Sequence, residues 1–487
     1  MTHKTIIAMA VSGLLASPAL GADFAAEAPR KDASSVRAED LRRQIETLQQ
    51  SIHSLQKQVE TLQQEGKDRA SSSDIEGVRT DLENYKYDQE RQYERKNAKS
   101  TRDTTLYGTV QVRYQAQNRA TRSGNPAPNG ERYHTFDVPT ALLGVRGNLY
   151  KDYVEGKNLE YQFSLSYGKR ADGTNNANFN LQDAFIRYNF LPTTDGLEGN
   201  RLTATIGQQL LPFGIEAQAA EDLRPTINLA TAPAQLGLFN RQVGAVFRGD
   251  VSPFVDYTAN YRAPLFEYAL GVVNGSYSNK LDSNNGKAVV GRGAFTLPVD
   301  YASWLRELKI GASFYKGSKV VVGTLGGSSA NLDSHGRQDI YGFDIYYNHA
   351  PYGVTYEHWQ GRADYAAAAN SAQTREARSA GYTLTLFYTF GDQFFNSVKT
   401  AAKFDDSWPQ SIQTFYRFDY FNPNRSRSVT GIRGKGLDAV HVHTLGFNWF
   451  FAETTKLQFG INRYRYEHET NTQKAYSEVQ TQLQYTF

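Results

Sequence analysis

Residues 212–240 concentrate charged side chains that could select ions. Three carboxylates, Glu216, Glu221 and Asp222, stand there against one cation, Arg224. Carboxylates fixed at the narrowest part of a pore repel anions and favour cations. If the flanking segments build a channel, we predict that these four side chains form its constriction.

A second ionic group consists of arginines that recur on one side of segments with alternating polarity. Fixed guanidinium groups along the wall of a pore could attract anions and allow the pore to conduct them. By alternation, the inward-facing arginines that we predict to line the pore are Arg113, Arg146, Arg187, Arg248, Arg292 and Arg417.

Carboxylates compete with these arginines on the same predicted face. They are Glu160, Asp183, Glu267, Asp344 and Glu357. Two interpretations stay open: the arginines are paired wall structure, or they are free to meet permeating anions. A basic wall opposite an acidic loop would also create a transverse field, which favours dipolar or zwitterionic solutes.

The sequence gives little indication of an active site or a metal site. No nucleophile with a base and no recognisable catalytic motif is present, so we expect neither an enzyme nor a cofactor. His441 and His443 are two residues apart with Asp438 close by, which makes a metal site conceivable. Solvent contact is the alternative. The chain has no Cys, which excludes thiolate sites and disulfides.

The segments that carry these charges alternate between apolar and polar residues. In the last one, Val479, Leu483 and Phe487 fall on one face, and Gln480 and Gln484 fall on the other. This period of two is typical of barrel strands with one lipid-facing and one wet side. Such runs begin near residues 106, 140, 159, 181, 202, 241, 265, 289, 308, 340, 352, 381, 412, 444, 457 and 475.

The count predicts an all-β chain, a 16-stranded antiparallel transmembrane β-barrel over residues 104–487. A closed barrel with both ends on one side needs an even number of strands, and roughly sixteen leave an aqueous channel. Long connections should be extracellular, which makes 212–240 the third outer loop and 317–338 the fifth. Residues 392–410 are the exception, because they form either a long periplasmic turn or an extra strand.

The chain before the barrel divides into four predicted segments. Residues 1–22 have the basic start, apolar run and small residues of a signal peptide, and 23–37 form a linker. Residues 38–66 form a periplasmic coiled coil, and 67–103 a short helix and linker. In the coiled-coil segment, apolar residues recur at alternating intervals of four and three and form a stripe, here called the seam. These residues are Leu41, Ile45, Leu48, Ile52, Leu55, Val59 and Leu62. One helix alone would expose this stripe, so the pattern predicts self-association.

Composition excludes two other classes of protein. A mean hydropathy of -0.57 rules out a bundle of apolar transmembrane helices. A net charge of +3 over 487 residues is too small for nucleic-acid binding. The 31 Tyr and 27 Phe fit the aromatic girdles of a barrel.

One stretch carries a family resemblance. Residues Ile206–Glu216 read IGQQLLPFGIE, which resembles the strand leading into the third loop of the phosphate-selective porin O and P family. Shorter similar pieces are Tyr107–Gly108, Phe185–Tyr188, Gly271–Gly275, Tyr416–Tyr420, Asn422–Asn424 and Leu445–Phe450. The resemblance implies a trimer of sixteen-stranded barrels with the third loop folded inward, and in the best-known members a basic ladder that selects anions. The acidic loop departs from that ladder.

From these observations we predict an outer-membrane porin of a Gram-negative bacterium. Small polar or charged solutes, including anions such as phosphate, would diffuse through a pore narrowed by the third loop. A channel for organic acids or zwitterions and an adhesin or envelope tether are the alternatives. The expected partners are a homotrimer, outer-membrane lipid and lipopolysaccharide, with the arm serving as a stalk near peptidoglycan or as an oligomerisation clip. Seam residues of this kind by themselves favour two strands, in conflict with a trimer.

Overall fold

The computed structural model describes fifteen stretches of the chain, which fall in two compact units, Met1–Lys96 and Asn97–Phe487. The described stretches are residues 34–65, 72–96, 104–119, 131–152, 154–168, 178–257, 261–282, 284–325, 327–349, 351–368, 370–391, 411–429, 438–451, 454–468 and 474–487. The predicted signal peptide and the connection 392–410 lie outside these residues. So does most of the predicted linker 23–37.

The first unit contains two helices, α1 (Ser34–Glu65) and α2 (Ser72–Lys96). The seam residues of α1 from Ile45 to Val59 are uncovered in the single chain, with Ile45 50% and Leu55 58% exposed. Helix α2, which the sequence indicated as a short helix, has 25 residues. Within the described residues, no helix is both long enough and apolar enough to cross a membrane. The coiled coil stays a prediction, and the exposed seam is what it would bury.

The second unit is a closed antiparallel barrel of sixteen strands, which confirms the predicted fold. Each strand pairs with the next, and β16 returns to β1, where Thr109 lies opposite Thr486. The strands are β1 (Thr105–Gln117), β2 (Tyr133–Asp152), β3 (Gly156–Gly168), β4 (Asn178–Asn189), β5 (Leu202–Gln209), β6 (Gln242–Asp256), β7 (Tyr261–Val273), β8 (Ala288–Thr296), β9 (Lys309–Leu325), β10 (Ser328–His349), β11 (Tyr352–Ala366), β12 (Thr374–Gly391), β13 (Ser411–Asn422), β14 (Val440–Phe450), β15 (Thr455–Tyr466) and β16 (Tyr476–Thr486).

Burial alternates along the strands as the polarity pattern predicts. In β16, Gln480 and Gln482 are 2% and 3% exposed, whereas Leu483 and Tyr485 are about half exposed. The buried amides point into the barrel and the exposed apolar side chains point outward. An inside lined with polar groups and an outside lined with apolar ones is the arrangement that a lipid bilayer requires.

The connection between β9 and β10 is shorter than the sequence suggested. Residues 317–338 were expected to form a loop, but β9 runs to Leu325 and β10 starts at Ser328. The two strands stay paired up to Leu325 opposite Ser328. Backbone pairing therefore continues past the point where side-chain polarity stops alternating cleanly, which is why polarity alone placed the boundary too early.

Strands β12 and β13 pair directly, from Gly391 opposite Ser411 to Ala380 opposite Asn422. The described strands therefore close into a barrel of sixteen, in which β12 and β13 are direct neighbours. The number of strands in the barrel is therefore even, as the sequence predicts.

Candidate pore constriction

The connection between β5 and β6, residues 210–241, folds into the barrel. It contains a short 3-10 helix (Glu216–Gln218) and a helix, α3 (Thr231–Leu236). Most of its apolar side chains are buried, with Leu211 and Phe213 1% and 0% exposed, whereas Leu223 is 72% exposed. Loops normally run over protein surfaces, so a connection buried in this way must have its polar backbone satisfied from inside the barrel.

The Pro212-Phe213-Gly214 triplet fits tightly against the wall. A methyl group at Gly342 would lie 2.7 Å from the Phe213 ring, and one at Gly214 would lie 2.4 Å from Oε2 of Glu357. Gly214 also has a φ of 60°, which disfavours other residues. The triplet that carries the family resemblance thus has a steric role: it turns the loop inward at β10 and β11.

Glu357 on β11 anchors the start of the loop. Its two carboxylate oxygens accept the backbone N–H groups of Ile215 and Glu216, each at 2.8 Å. Next to it, the Gly214 N–H donates to Oγ of Ser313 at 3.1 Å. The Glu357 side chain is 2% exposed. Both oxygens of this buried side chain are thus bonded to backbone donors of the loop, which fixes the start of the loop against β11.

Glu216 ties the two ends of the loop together through Arg417 on β13. Arg417 Nη1 lies 3.1 Å from Glu216 Oε1, and the same oxygen accepts the N–H of Ala230 at 2.9 Å. Arg417 Nη1 also donates to Oγ1 of Thr226 at 2.7 Å and to the carbonyl of Asn228 at 2.8 Å. This guanidinium is 2% exposed. The predicted constriction residue and the predicted wall arginine are thus partners.

Asp419, two residues along β13, holds α3. Its Oδ2 accepts both the backbone N–H and the hydroxyl of Thr231, each at 2.6 Å. A carboxylate at the first N–H groups of a helix satisfies donors that have no partner within the helix. Asp419 therefore fixes the second half of the loop as Glu357 fixes the first.

Glu221 is also paired. Arg241 Nη1 lies 2.8 Å from Oε1 of Glu221, Arg241 Nε lies 3.3 Å from Asp183, and Gln182 donates to Oε2 of Glu221 at 2.9 Å. Burial opposes ionisation, but the charges of Arg241 and Arg224 and the hydrogen bonds to the carboxylate together outweigh burial and lower the pKa of Glu221 to about 2. Glu221 is therefore a charged structural group whose charge is compensated.

Asp222 differs from the other two loop carboxylates. Its backbone carbonyl accepts Nζ of Lys456 at 2.6 Å and Nε2 of Gln484 at 3.2 Å, but its carboxylate forms no ion pair within the described part of the chain. Burial raises the pKa of Asp222. Arg224, the cation of the loop, donates to the carbonyl of Ala219 at 3.3 Å and has no carboxylate partner among the described residues.

The six predicted wall arginines divide into two groups. Arg113 pairs with Asp137 at 2.6 Å, Arg187 with Glu160 at 3.5 Å, Arg292 with Asp344, and Arg417 with Glu216. Arg146 and Arg248 have no carboxylate partner among the described residues: Arg146 lies 5.3 Å from the Tyr107 ring centre, and Arg248 donates to Oε1 of Gln209 at 2.7 Å. Four of the six predicted wall arginines are therefore charge-paired, and whether the other two meet permeating anions stays a prediction.

Three anchors were missed in the sequence. Asp419 and Lys456 occupy inward-facing positions of predicted strands, so the alternation of polarity could have indicated that they face the lumen. Glu478 lies on the same face of β16 as Gln480 and Gln484, but its bonds to the amides of Gln117, Asn228 and Asn462 were not foreseeable. The alternation of neighbouring residues shows that a side chain faces inward, but it does not show which distant residue will bond to that side chain.

His441 and His443 lie on the outward face of β14. His443 Nδ1 is 2.8 Å from the Tyr416 hydroxyl, and Asp438 pairs with His468 at 3.4 Å. Over the described stretches, no group of three or more potential ligands could hold a metal ion. The two histidines and Asp438 do not form one site here.

A closed sixteen-stranded barrel with a polar interior and an inward-folded third loop defines an outer-membrane porin. Residues 105–487 match the family model described as "Phosphate-selective porin O and P". The chain belongs to this family of channels and resides in the outer membrane of a Gram-negative bacterium.

Solved structures with similar folds are distant in sequence. The outer membrane channel DcaP of Acinetobacter baumannii is 10% identical with a TM-score of 0.50, over 80% of this chain and 98% of that one. The anion-selective porin from Comamonas acidovorans is 12% identical with a TM-score of 0.47, over 79% and 99%. DcaP supports the fold alone at this identity. Curated protein sequences yield no significant match.

Replacing Arg417 by Gln should free the third loop. The change leaves the buried carboxylate of Glu216 without its cation, which costs about 3–5 kcal/mol in a buried pair. We expect larger and noisier single-channel currents in planar bilayers. The control is Arg113→Gln, which breaks a wall pair that does not touch the loop. Unchanged conductance in Arg417→Gln, or an equal change in both variants, would show that this pair does not hold the constriction.

Acidification should increase the preference for anions. Burial raises the pKa of Asp222, so as pH falls its negative charge is lost at a higher pH than that of an ordinary aspartate. Glu221, with a pKa of about 2, stays charged through the same range. Reversal potentials measured from neutral pH to about pH 4 should shift toward anions, and Asp222→Asn should show the shifted value already at neutral pH. An equal pH response in the wild type and Asp222→Asn would contradict this assignment.

Proposed function

We propose that this porin is anion-preferring, and that phosphate is among the small anions that diffuse through it. The observation that carries this proposal is the pairing of Glu216 and Glu221 with Arg417 and Arg241. These carboxylates are the groups that would otherwise repel anions at the constriction. With their charge compensated, the balance shifts to the side chains that remain unpaired and accessible to water.

The accessible unpaired charges are mainly cationic. Arg146 is exposed and Arg248 is half-buried, and both lack a carboxylate partner within the described residues. The inward carboxylates Glu357, Asp419 and Glu478, which have no cationic partner in the described stretches, are 2%, 1% and 4% exposed, and each accepts a hydrogen bond from the loop. Asp222 is the half-buried exception. A permeating ion therefore meets guanidinium groups more readily than carboxylates.

The family supports the same direction, since its description names phosphate selectivity. Members are channels, and we propose that this chain likewise has no enzymatic activity. The alternative of a channel for zwitterions required a basic wall opposite a free acidic loop. Pairing of two of the three loop carboxylates weakens that transverse field, so simple anions and organic acids are favoured over zwitterions.

We further propose that the barrels form a homotrimer whose N-terminal arms associate through the seam of α1. The exposed apolar stripe of the single helix, including Leu48 and Ile52, each 53% exposed, supports association of the arms. The number three comes from the family resemblance, because the seam residues by themselves favour two strands. A helix of this kind gains stability only when another helix covers its seam. In this proposal the first 22 residues are a signal peptide, and the arm lies in the periplasm.

Substitution of Arg248 tests the anion preference directly. We expect Arg248→Gln to move the reversal potential of the purified protein, under a salt gradient, toward cation preference and to weaken inhibition of chloride current by phosphate. Arg248→Lys should keep most of the wild-type preference, because it keeps the charge. A cation-preferring wild-type channel, or identical reversal potentials for Gln and Lys, would refute the proposal.

A further inference from the structure

We infer that the outward face of β14 and β15 binds the phosphate-bearing headgroup of an outer-leaflet lipid such as lipopolysaccharide. The site, here called the outer patch, consists of His441, His443, Arg463 and Arg465. The inference is independent of what passes through the pore, since these four side chains point away from the lumen.

The strand register brings the four side chains into two adjacent pairs. His441 lies opposite Arg465, and His443 lies opposite Arg463. Directly opposed side chains on one face of a sheet have their Cβ atoms about 4.5–5.5 Å apart. Two guanidinium groups and two imidazoles are therefore concentrated on a surface the size of one headgroup.

Aromatic residues of β13 support the histidines. The ring of His441 lies 4.8 Å from that of Tyr420, and the ring of His443 lies 4.9 Å from that of Phe418. The Tyr416 hydroxyl holds Nδ1 of His443 at 2.8 Å, which leaves Nε2 available. The imidazoles are thus fixed in orientation before any ligand arrives.

The arginines have donors to spare. Arg463 uses Nη1 on the Ser477 hydroxyl at 2.9 Å, and Arg465 is exposed with no ion pair inside the described stretches. Arginine presents five N–H donors in a planar fork that matches a phosphate.

Among the residues that the structure describes, no carboxylate lies beside the two His–Arg pairs on the outward face of β13–β16. The nearest acidic groups beyond them are paired: Glu467 with Arg427 at 3.9 Å and Asp438 with His468 at 3.4 Å. Within the described residues, the positive charge of the outer patch is therefore not paired with a carboxylate.

The outer patch lies at the upper border of the lipid-facing band. Below it, the outward residues are apolar on both strands: Leu445 and Phe447 on β14, and Ile461 and Phe459 on β15. The segment from Phe451 up to His441 has about the 9–11 residues with which a tilted strand crosses the hydrocarbon region. The patch therefore meets the headgroup layer of the outer leaflet, where the anions are lipid phosphates.

Lipid binding by the purified full-length protein tests the inference. Nanodiscs of neutral phosphatidylcholine would contain either bisphosphorylated lipid A or lipid A without its phosphates, and native mass spectrometry would count lipid A bound per protein. We expect the wild type to bind the phosphorylated form selectively. The double variant Arg463→Gln/Arg465→Gln should bind it about tenfold or more weakly, because each arginine near a charged headgroup contributes appreciably.

The matched control is Arg375→Gln/Arg425→Gln, which removes two exposed arginines of the extracellular end outside the outer patch and should bind as the wild type does. Unaltered conductance and reversal potential would show that each variant folds and would keep this result separate from the proposed anion preference. Equal lipid binding by both double variants, or equal binding of dephosphorylated lipid, would overturn the inference. Loss of oligomeric mass in the Arg463/Arg465 variant would overturn it as well, in favour of an interface between copies of the chain.

Discussion

Carboxylates buried in the barrel wall accept the backbone N–H groups of the third loop, and the pore depends on this interaction. Glu357 receives Ile215 and Glu216, and Asp419 receives Thr231. A buried N–H group without a partner, or a buried carboxylate without a donor, would each cost free energy. Because each satisfies the other, the loop can lie inside the barrel at a fixed place. The pore is narrowed there as a consequence of hydrogen bonding rather than of loop length.

The same geometry decides which charges an ion meets. Arginines that pair with carboxylates, such as Arg417 with Glu216, stabilise the loop and contribute little to the field in the lumen. Arg146 and Arg248, without such partners in the described residues, keep their charge available. Alternation along the strands also places arginines outside, where Arg463 and Arg465 face the membrane border. Because side chains alternate between the two faces of each strand, the same strands form a wet, selective interior and a lipid-facing exterior.

Much of the architecture was predictable because it follows from local pattern. The alternation of Gln480, Gln482 and Gln484 with apolar residues placed β16, and similar runs placed all sixteen strands. The extent of the β9–β10 hairpin was not predictable, since backbone pairing continues where side-chain polarity no longer alternates. The position of the third loop was predictable from its length and from its place between β5 and β6.

The electrostatics of the constriction were not predictable from the loop alone. In the sequence, Glu216 is one of three loop carboxylates that stand against the single cation Arg224, but its partner Arg417 is 201 residues away. Nothing local specifies which inward arginine reaches which loop carboxylate, because barrel closure and loop folding together decide it. The correction concerns pairing: two of the three acids are compensated, and Asp222 is not.

Hydrogen–deuterium exchange of the intact protein in nanodiscs tests most directly whether the third loop is a fixed part of the wall. The account predicts that the amides of Ile215, Glu216, Ala230 and Thr231 exchange as slowly as those of the barrel strands, because buried carboxylates hold them. Exchange of these amides as fast as that of the turn at residues 423–429 would contradict it and would mean that the loop moves in and out of the pore.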